Sequence, residues 1–371
     1  MEEYHLLEPV GKDADLWREL LAPLSHDVYH TPEYLSLFMD AEPGIVDTFG
    51  SSPRLFWFGD EKQYILHPFL LRPVNTLPFL QRPPSEEPVI RSLYDAVSPW
   101  YYGGPLIHAT GNEGTGDLVR NFSRTFHRFC RTHGIVSEFV RLDPLLGNHR
   151  SIEGILPVVQ KSEIVYVDLT RDSEALWEEY KKENRKAIKR AISRGVTVEI
   201  SRKQEDLRAF HRLYKEAMDR HNARPGYYFS GEFLERLFSS LGGRAVLFLA
   251  KFGGEIISGS ILLGHGPFAH DFLRAFNPEY HLLSPNNLVV HRKILWAKDH
   301  GYRIFSLQGG QVKDDGIMRF KLTFSRTTAP FYTYSCIHDP DTYQTLSRLR
   351  DEYSLKGEGR PQTSYFPYYR G

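Results

Sequence analysis

The sequence predicts an α/β protein in which one mixed unit, a mostly antiparallel sheet flanked by helices, occurs twice in tandem. Three observations support this fold class. The chain has 371 residues, which is more than one ordinary hydrophobic core fills and suits two domains. Hairpin patterns and amphipathic helices alternate along both halves. The two halves also carry the same structural signals in the same order, as a duplicated unit would.

The internal repeat begins in each half with a short helix signal, in which Thr31 or Ser230 is the N-cap and a glutamate follows two places later. A hairpin signal follows at 54–71 in the first half and at 245–263 in the second. Further on, an amphipathic helix leads through His-Gly into a strand. Such joints also arise by chance, but their shared order favours duplication. The two joints lie at His133-Gly134 and His300-Gly301.

The domain boundaries follow from this repeat. We place the N-terminal domain at 1–157 and the C-terminal domain at 158–340, because a new strand signal begins at Ile164. A last helix and a tail rich in Gly, Pro and Tyr occupy 341–371; the tail either docks in a groove or is partly disordered. The proline-rich stretch 72–99 is predicted to lack regular structure and to lie across the surface.

Composition and charge limit the class of protein. Lys plus Arg and Asp plus Glu both number 46, so the formal net charge is zero, which argues against a protein that coats nucleic acid by bulk charge. Two cysteines cannot form a disulfide framework in a chain of this size and indicate a reducing compartment. The sequence shows no secretory signal and no apolar run of about 20 residues. We therefore expect a cytoplasmic protein.

The most charged segment, 173–195, is predicted to be one amphipathic helix that Gly195 terminates. A run of this kind is ordinarily a solvated helix face. Here, however, Glu183 is the one acid in the last three turns. A helix face whose charges are nearly all positive predicts an anionic partner, either RNA or a phosphate-bearing substrate. The cations that we assign to tRNA or phosphate binding are Arg185, Lys186, Lys189 and Arg190.

These residues also carry a resemblance. The segment 184–191, followed by Gly195-Val196, resembles the signature helix of the Fem family, relatives of the GNAT acyltransferases with two fused GNAT-like domains. Other segments are similar to the family's in order and spacing, and the resemblance extends from about Tyr29 to Leu346. Each short match is weak alone, whereas their order makes the set specific. The segments are His270–Leu273, Ser284–Leu288, Trp296-Ala297, Gly301-Tyr302, Leu307–Gly310, Asp314-Asp315, Phe320-Lys321 with Phe324, and Ser98–Leu106.

The resemblance implies two tandem GNAT-like domains and transfer of an aminoacyl group from a charged tRNA to an amine, with peptide-bond formation. The acceptor would be a cell-wall precursor, a peptide or a natural-product amine, on the N-terminal side, with the donor on the C-terminal side. The alternative is an acyl-CoA-dependent N-acyltransferase of the GNAT type. A third possibility is a non-catalytic module that binds an anionic partner. We expect a monomer or a dimer.

The loop before the helix at Asn286 bears on the choice of donor. A standard GNAT holds the CoA pyrophosphate on backbone N–H groups of a glycine-rich loop at a helix N-terminus. The corresponding segment, 276–285, has no glycine, and none occurs between Gly266 and Gly301. Side chains there would crowd a pyrophosphate. This favours aminoacyl-tRNA over CoA, and we predict no cofactor.

The chemistry needs two oriented substrates, a stabilised oxyanion and a route for protons. The resemblance implies that Lys321 contacts the oxyanion beside Phe320; without it, an exposed surface lysine is the simpler interpretation. Asp315 is a candidate to receive the amine proton, although loop acids are more often solvated. Further candidates for substrate contact are Asp271, Arg274, Asn287, Gln308, Gly309 and Gly310, and, for the acceptor, Tyr101 and Tyr102.

Each substrate candidate has a structural alternative. Gly309 and Gly310 could simply form a turn after a strand, Arg274 and Asn287 could form buried pairs, and Tyr101 and Tyr102 could anchor a turn. Other chemistries lack their motifs: the 16 histidines show no metal-ligand spacing, and neither a phosphate-binding loop nor a nucleophile motif occurs. We therefore predict no metal, no nucleotide cofactor and no acyl-enzyme.

Overall fold

The computed structural model describes residues 4–39, 51–80, 93–109, 114–309, 316–355 and 365–371. These residues form two compact units. Unit 1 contains residues up to Lys161 together with Phe331–Gly371, and unit 2 contains Ser162–Pro330. The sequence-based division kept 331–340 in the second domain and set 341–371 apart, whereas the contacts place 331–371 in unit 1.

The described strands and helices are numbered in chain order. The strands are β1 (Tyr4–Leu7), β2 (Ser52–Gly59), β3 (Tyr64–Pro73), β4 (Tyr94–Val97), β5 (Leu106–His108), β6 (Ile135–Arg141), β7 (Val159–Asp168), β8 (Thr197–Ser201), β9 (Ala245–Phe252), β10 (Glu255–His265), β11 (Phe268–Phe276), β12 (Ile304–Gly309) and β13 (Thr328–Ile337). The helices are α1 (Gly11–Leu21), α2 (Pro32–Leu35), α3 (Thr115–Thr132), α4 (Ser173–Glu179), α5 (Lys182–Ser193), α6 (Gln204–Arg220), α7 (Gly231–Leu241), α8 (Pro285–Asp299), α9 (Gly316–Lys321) and α10 (Pro340–Leu355).

The sheet of unit 1 has the order β1-β2-β3-β4-β6-β13, with β5 beside β3. All its neighbours are antiparallel except β4 and β6. The predicted hairpin joins β2 to β3. The Asp60 carboxylate accepts hydrogen bonds from the backbone N–H groups of Lys62 and Gln63. At Gly59, φ is +112° and a Cβ would stand 2.2 Å from Gln63 O, so this turn requires glycine.

Helix α3 covers one face of this sheet. Its apolar residues recur at helical spacing, so Val119, Phe122, Phe126 and Phe129 share a stripe that packs on Phe56 and other strand residues. As the sequence predicted, α3 leads through His133-Gly134 directly into β6.

The prediction that 72–99 lacks regular structure is wrong at both ends of that stretch. Strand β3 continues to Pro73, and the central strand β4 occupies Tyr94–Val97. Residues 81–92 lie outside the described part of the chain. The tail docks on unit 1: Tyr369 is 1% exposed and packs with Leu346 of α10 and Val74. Burial of one aromatic side chain is enough to anchor such a segment.

The sheet of unit 2 has the order β7-β12-β11-β10-β9-β8, and only β11 and β12 are parallel among these described strands. Helices cover both faces of this sheet. Side chains alternate along β10, so this strand contacts a helix on each face. Gly259 faces α6, where a Cβ would meet the ring of Phe210 at 2.5 Å. Its neighbours Ser258 and Ser260 point the other way and bond to Asn286 and Lys293 of α8.

The single basic helix predicted for 173–195 is in fact two helices, α4 and α5. The break lies at Tyr180 and Lys181, whose ψ angles are 138° and 146°. Tertiary contacts cause it: Lys181 N donates to Thr323 O at 2.9 Å, and the buried Tyr180 ring packs edge-on to Phe324. Gly195 ends α5 with φ +88°, as the sequence predicted.

Candidate active site

The two parallel strands of unit 2 separate where polar residues cluster. Strands β11 and β12 pair from Phe268↔Ile304 to His270↔Ser306. Just beyond this point both strands bulge, since Phe272 has no register partner on β10 and Leu307 has none on β7. Bulges bend a strand and redirect its side chains. The carboxyl ends of these adjacent strands therefore form the kind of crevice in which open α/β sheets bind ligands.

Asp271 lies at the centre of this crevice, with its side chain 5% exposed. Its Oδ1 accepts a hydrogen bond from Lys293 Nζ at 2.5 Å and lies 3.0 Å from Ser260 Oγ, and its Oδ2 accepts one from Arg274 Nη1 at 3.2 Å. Burial alone would raise the pKa of Asp271, but the positive charges of Lys293 and Arg274 outweigh it and hold the pKa well below its usual range. The carboxylate is therefore ionised at neutral pH.

Lys293 is fully buried and was missed by the sequence analysis. Its ammonium donates to Ser260 Oγ at 2.6 Å and to Ile261 O at 3.3 Å, besides Asp271. Burial lowers the pKa of Lys293 to about 8, although the charge of Asp271 opposes the shift. A signal was present in the sequence, because one cation stands on a helical stripe that is otherwise apolar. The apolar members of that stripe are Val289, Val290, Ile294 and Ala297.

Lys321 and Phe320 end α9 at the same crevice. Lys321 is 6% exposed, and its Nζ donates to Gly309 O at 2.6 Å. It is thus not an exposed surface lysine. The guanidinium carbon of Arg274 lies 4.6 Å from the centroid of the Phe320 ring, a cation–π contact. The structure therefore brings five predicted residues together: Asp271, Arg274, Gly309, Phe320 and Lys321. Their catalytic roles stay predictions.

Gln308 sits between this cluster and the core. Its φ is +65°, an uncommon left-handed value for a residue other than glycine. Its side-chain Nε2 lies 3.1 Å from His270 Nδ1, and the residue is 4% exposed. Strained backbone of this kind is concentrated at functional sites. The predicted Gly310 and Asp315 lie outside the described residues.

Asn287 is hydrogen-bonded within unit 2, in agreement with the alternative that it forms a structural pair. Its Nδ2 donates to Asn184 Oδ1 at 2.8 Å, and Asn184 Nδ2 donates to Thr323 O at 3.1 Å. This chain of amides links α8, α5 and the segment that follows α9. Thr323, at the end of this chain of amides, lies two residues beyond Lys321.

The predicted cations of α5 divide into two groups. Arg185 is half-buried and donates to Glu178 O at 2.7 Å, so it caps the last carbonyls of α4. Lys186, Lys189 and Arg190 are exposed. Lys189 Nζ lies 5.9 Å from the Trp177 ring centroid, and Arg190 Nη2 donates to Ser284 Oγ at 2.6 Å. The exposed cations present a positive surface to solvent.

The two tyrosines predicted to contact the acceptor belong to unit 1. Tyr102 is 5% exposed, and its ring lies edge-on to those of Tyr29 and Phe331 at 5.4 Å and 5.6 Å. Burial raises the pKa of Tyr102 well above its usual range. Tyr101 is half-buried with φ +74°. The structure therefore supports an aromatic anchor at Tyr102, and acceptor contact by either residue stays a prediction.

Metal-binding clusters and membrane-spanning helices are two further features that bear on function. Among the described residues, no group of three or more His, Cys, Asp or Glu side chains is arranged to hold a metal ion. Within the same part of the chain, no helix combines the length and apolar character that crossing a membrane requires.

Comparisons with known proteins agree with this architecture. Residues 178–321 match the family described as "Acetyltransferase (GNAT) domain", and this range runs from α4 to Lys321. A search of curated proteins gave no significant match. Among solved structures, FemX superposes with a TM-score of 0.63 at 13% identity and covers 92% of this chain and 99% of its own.

Two other solved structures are similar over nearly their whole length. The C-terminal domain (DUF2156) of a protein assigned as a lysylphosphatidylglycerol synthetase, from Agrobacterium fabrum, gives a TM-score of 0.53 at 14% identity, covering 94% of this chain and 98% of its own. A tandem GNAT protein from the clavulanic acid biosynthesis pathway gives 0.52 at 11% identity, covering 92% and 99%. The chain thus has a Fem-like tandem GNAT fold, and the matched domain supports acyltransferase activity.

Proposed function

We propose that this Fem-like tandem GNAT protein is an aminoacyltransferase, which moves an aminoacyl group from a charged tRNA to an amine of a peptide, a cell-wall precursor or a natural-product acceptor. The observation that carries the proposal is the buried cationic cluster in unit 2. Lys321 and Arg274 stand at the separated ends of β11 and β12, where a carbonyl ester would gain most from a fixed positive charge.

The reaction is a transfer from an ester to an amine. The amine nitrogen attacks the ester carbonyl carbon, and the carbonyl oxygen becomes an oxyanion. The bond between that carbon and the tRNA ribose oxygen then breaks, the ribose hydroxyl takes a proton, and an amide remains. An ester is already activated, so the protein's task is to orient the substrates, stabilise the oxyanion and remove a proton from the amine.

Lys321 is the residue we assign to the oxyanion. Its ammonium has three N–H donors, and Gly309 O accepts from it at 2.6 Å, which fixes the position of the side chain. Since Lys321 is 6% exposed, its charge acts where water screens it little. Phe320 forms part of the same wall and carries Arg274 on its ring face.

Asp271 has a different task from proton transfer. It stays ionised and is bonded to Lys293 and Arg274, so it fixes the two cations rather than taking the amine proton. Arg274 is then held for contact with the donor. Asp315 remains our candidate base, and Gln308, Gly309 and Gly310 our candidate turn beside the substrate.

The surroundings of α8 favour tRNA over CoA as the donor. The turn before α8 is a 3-10 helix over Pro278–Leu283 and contains no glycine. Side chains occupy the space at the start of α8. Ser284 accepts from Arg190, and Asn286 and Asn287 bond to Ser258 and Asn184. A pyrophosphate at this helix start would have to displace these contacts. The exposed cations of α5 suit the phosphates of an RNA.

A transfer assay tests the proposal. The full chain is incubated with tRNA pools, each charged with one labelled amino acid, and with a panel of peptide and small-molecule amines, and amide products are identified by mass spectrometry. A parallel arm replaces the tRNA by acetyl-CoA. We expect discharge of a particular aminoacyl-tRNA with formation of an amide. Saturable acylation from acetyl-CoA, with no discharge of any charged tRNA, would overturn the choice of donor.

A further inference from the structure

Unit 1 contains a cavity of about 260 Å³ that the proposed reaction does not use. It lies between α3 and strands β6 and β13. Phe122, Phe126 and Leu156 form an apolar wall, and Ser123 and Arg124 lie at the more exposed side. Glu138 and His338 contribute the buried polar part of the lining. A carboxylate at the buried end of such a cavity needs an explanation, because its burial is costly without a partner.

Glu138 is ionised although its side chain is 3% exposed. Its Oε1 accepts hydrogen bonds from His67 Nε2 at 2.7 Å and from the Tyr334 hydroxyl at 2.9 Å. Burial raises the pKa of Glu138, but the hydrogen bond from His67, the positive charges that His67 and His338 carry when protonated and the hydrogen bond from Tyr334 outweigh it, so the pKa lies below its usual value. The cavity is therefore lined by a carboxylate anion.

Both hydrogen-bond donors to Glu138 reach Oε1, and no donor among the described residues reaches Oε2. His67 Nδ1 is buried without a hydrogen-bond partner among the described residues, and the rings of Phe69, Phe122 and Phe126 surround it. Burial raises the pKa of Tyr334 well above its usual range, so its phenol keeps the proton that it donates.

His338 faces the other carboxylate oxygen without bonding to it. Its Nε2 lies 3.8 Å from Glu138 Oε2, too far for a direct hydrogen bond, and this nitrogen is buried with no hydrogen-bond partner among the described residues. Its Nδ1 lies 3.0 Å from His127 Nδ1. Burial lowers the pKa of His338.

Glu138 Oε2 thus stands at the inner end of the cavity without a hydrogen-bond donor among the described residues. A group with several N–H donors and a positive charge would satisfy this oxygen. The other titratable groups do not compete for that role. Burial raises the pKa of the Cys336 thiol to about 12, so it is uncharged, and the side chain of Arg124 bonds to Asn121 on the exposed side of α3.

We propose that this cavity of unit 1 binds a small organic ammonium ion, with its nitrogen against Glu138 Oε2 and its apolar body against Phe122, Phe126 and Leu156. Aromatic faces attract cations in addition to their apolar contact. The cavity volume suits a compact body, and the positive charge of Arg124 at its exposed side disfavours a second cationic group on the ligand. This binding site is independent of the proposed reaction and is tested without turnover.

Calorimetric titration of the full chain with benzylammonium chloride tests the proposal, and benzyl alcohol is the uncharged probe of nearly the same shape. We expect saturable binding of benzylammonium at one site, about tenfold or more tighter than binding of benzyl alcohol, since the buried carboxylate is matched only by the cation. Glu138→Gln should abolish the preference for the cation. Ser123→Phe should block the cavity and weaken binding of both probes.

Arg131→Ala is the matched control, because Arg131 is an exposed cation on α3 outside the cavity lining. Binding to this variant should equal that of the unmodified chain. Circular dichroism reports folding of each variant, and if Glu138→Gln does not fold, Ser123→Phe decides the question alone. Equal affinity for the two probes, undetectable binding of benzylammonium, or full binding by folded Ser123→Phe each overturns the proposal.

Discussion

The Lys321 ammonium donates a 2.6 Å hydrogen bond to the carbonyl oxygen of Gly309, which ties the last residue of α9 to the last residue of β12. The bond joins residues 12 positions apart in the sequence and holds a cation at the carboxyl end of a strand. A lysine fixed in this way loses less side-chain entropy when it meets a developing charge. The fold therefore contributes a fixed position for the Lys321 charge.

Lys321→Ala should lower kcat for aminoacyl transfer by about 100-fold to 1000-fold, the range typical of removing one oxyanion donor, with little change in KM. Lys321→Arg keeps the charge but not the shape of the donor, and we expect partial activity. Steady-state kinetics with the donor identified in the transfer assay measures both. Lys215→Ala removes an exposed lysine of α6 and should leave kcat unchanged. A fully active, folded Lys321→Ala would remove this residue from the mechanism.

The buried pair of Lys293 and Asp271 should dominate the stability of unit 2. Lys293→Met leaves the Asp271 carboxylate buried with one cation fewer, and we expect the free energy of unfolding to fall by about 3–5 kcal/mol. The double variant Lys293→Met with Asp271→Asn should be less destabilised than the sum of the two single variants, because the charges compensate each other. Urea unfolding measures all three. Strictly additive losses would mean that the two side chains do not interact energetically.

The buried His30 and the half-buried His291 predict a loss of stability in mild acid. Burial lowers the pKa of both His30 and His291 to about 4; Arg292 lowers that of His291 further, whereas Asp27 opposes the shift at His30. The unfolded value is about 6.5, so between these values the unfolded chain binds more protons than the folded chain. The free energy of unfolding therefore falls as the pH falls from about 6.5 towards 4, by at most about 1.4 kcal/mol per pH unit for each histidine.

Urea titrations between pH 7.5 and 4.5 measure this dependence. His291→Gln should flatten it, because one of the two linked protonations is removed. His281→Gln, which changes an exposed histidine, serves as the control. The same dependence on pH in His291→Gln and in the unmodified chain would show that His291 is not the group responsible.

Much of the fold could be predicted from local sequence signals, and part of the site could not. The hairpin at Gly59-Asp60 and the end of α5 at Gly195 follow from backbone requirements that the sequence states directly. The break between α4 and α5 does not, because Tyr180 fits the helical stripe and only its contacts with Phe324 and the Lys181–Thr323 bond interrupt the helix. Local propensity was overridden by tertiary contacts.

The same distinction applies to the active-site candidates. Lys321 and Phe320 were predicted from the resemblance and Arg274 as a candidate for substrate contact, and the structure places them beside Asp271. Lys293 was missed because lysine is rarely buried, so a single lysine on an apolar helix face is easily assigned to the surface. Asn287 was proposed either to contact substrate or to form a buried pair; its amide bonds to Asn184, and substrate contact stays a prediction. Sequence patterns show which residues are polar, whereas pairing depends on the three-dimensional neighbours.

The last prediction separates the two groups of cations on α5. Lys186 and Lys189 are exposed, whereas Arg185 bonds to the carbonyl oxygens at the end of α4. If charged tRNA is the donor, Lys186→Gln with Lys189→Gln should weaken tRNA binding and lower the slope of log affinity against log salt by about 0.7–0.9 for each phosphate that the variant no longer neutralises. Arg185→Gln should instead lower the free energy of unfolding by about 1–2 kcal/mol, because its hydrogen bonds stabilise the helix end.

Filter binding at several salt concentrations, together with urea unfolding, distinguishes these effects. Arg212→Gln with Lys215→Gln removes two exposed cations from α6 and is the control for net charge. If this control changes the salt dependence as much as the α5 double variant, then tRNA is attracted by overall charge, and α5 has no particular part in binding it. A change confined to the α5 variant would locate the RNA contact on that helix, because both pairs remove the same charge from unit 2.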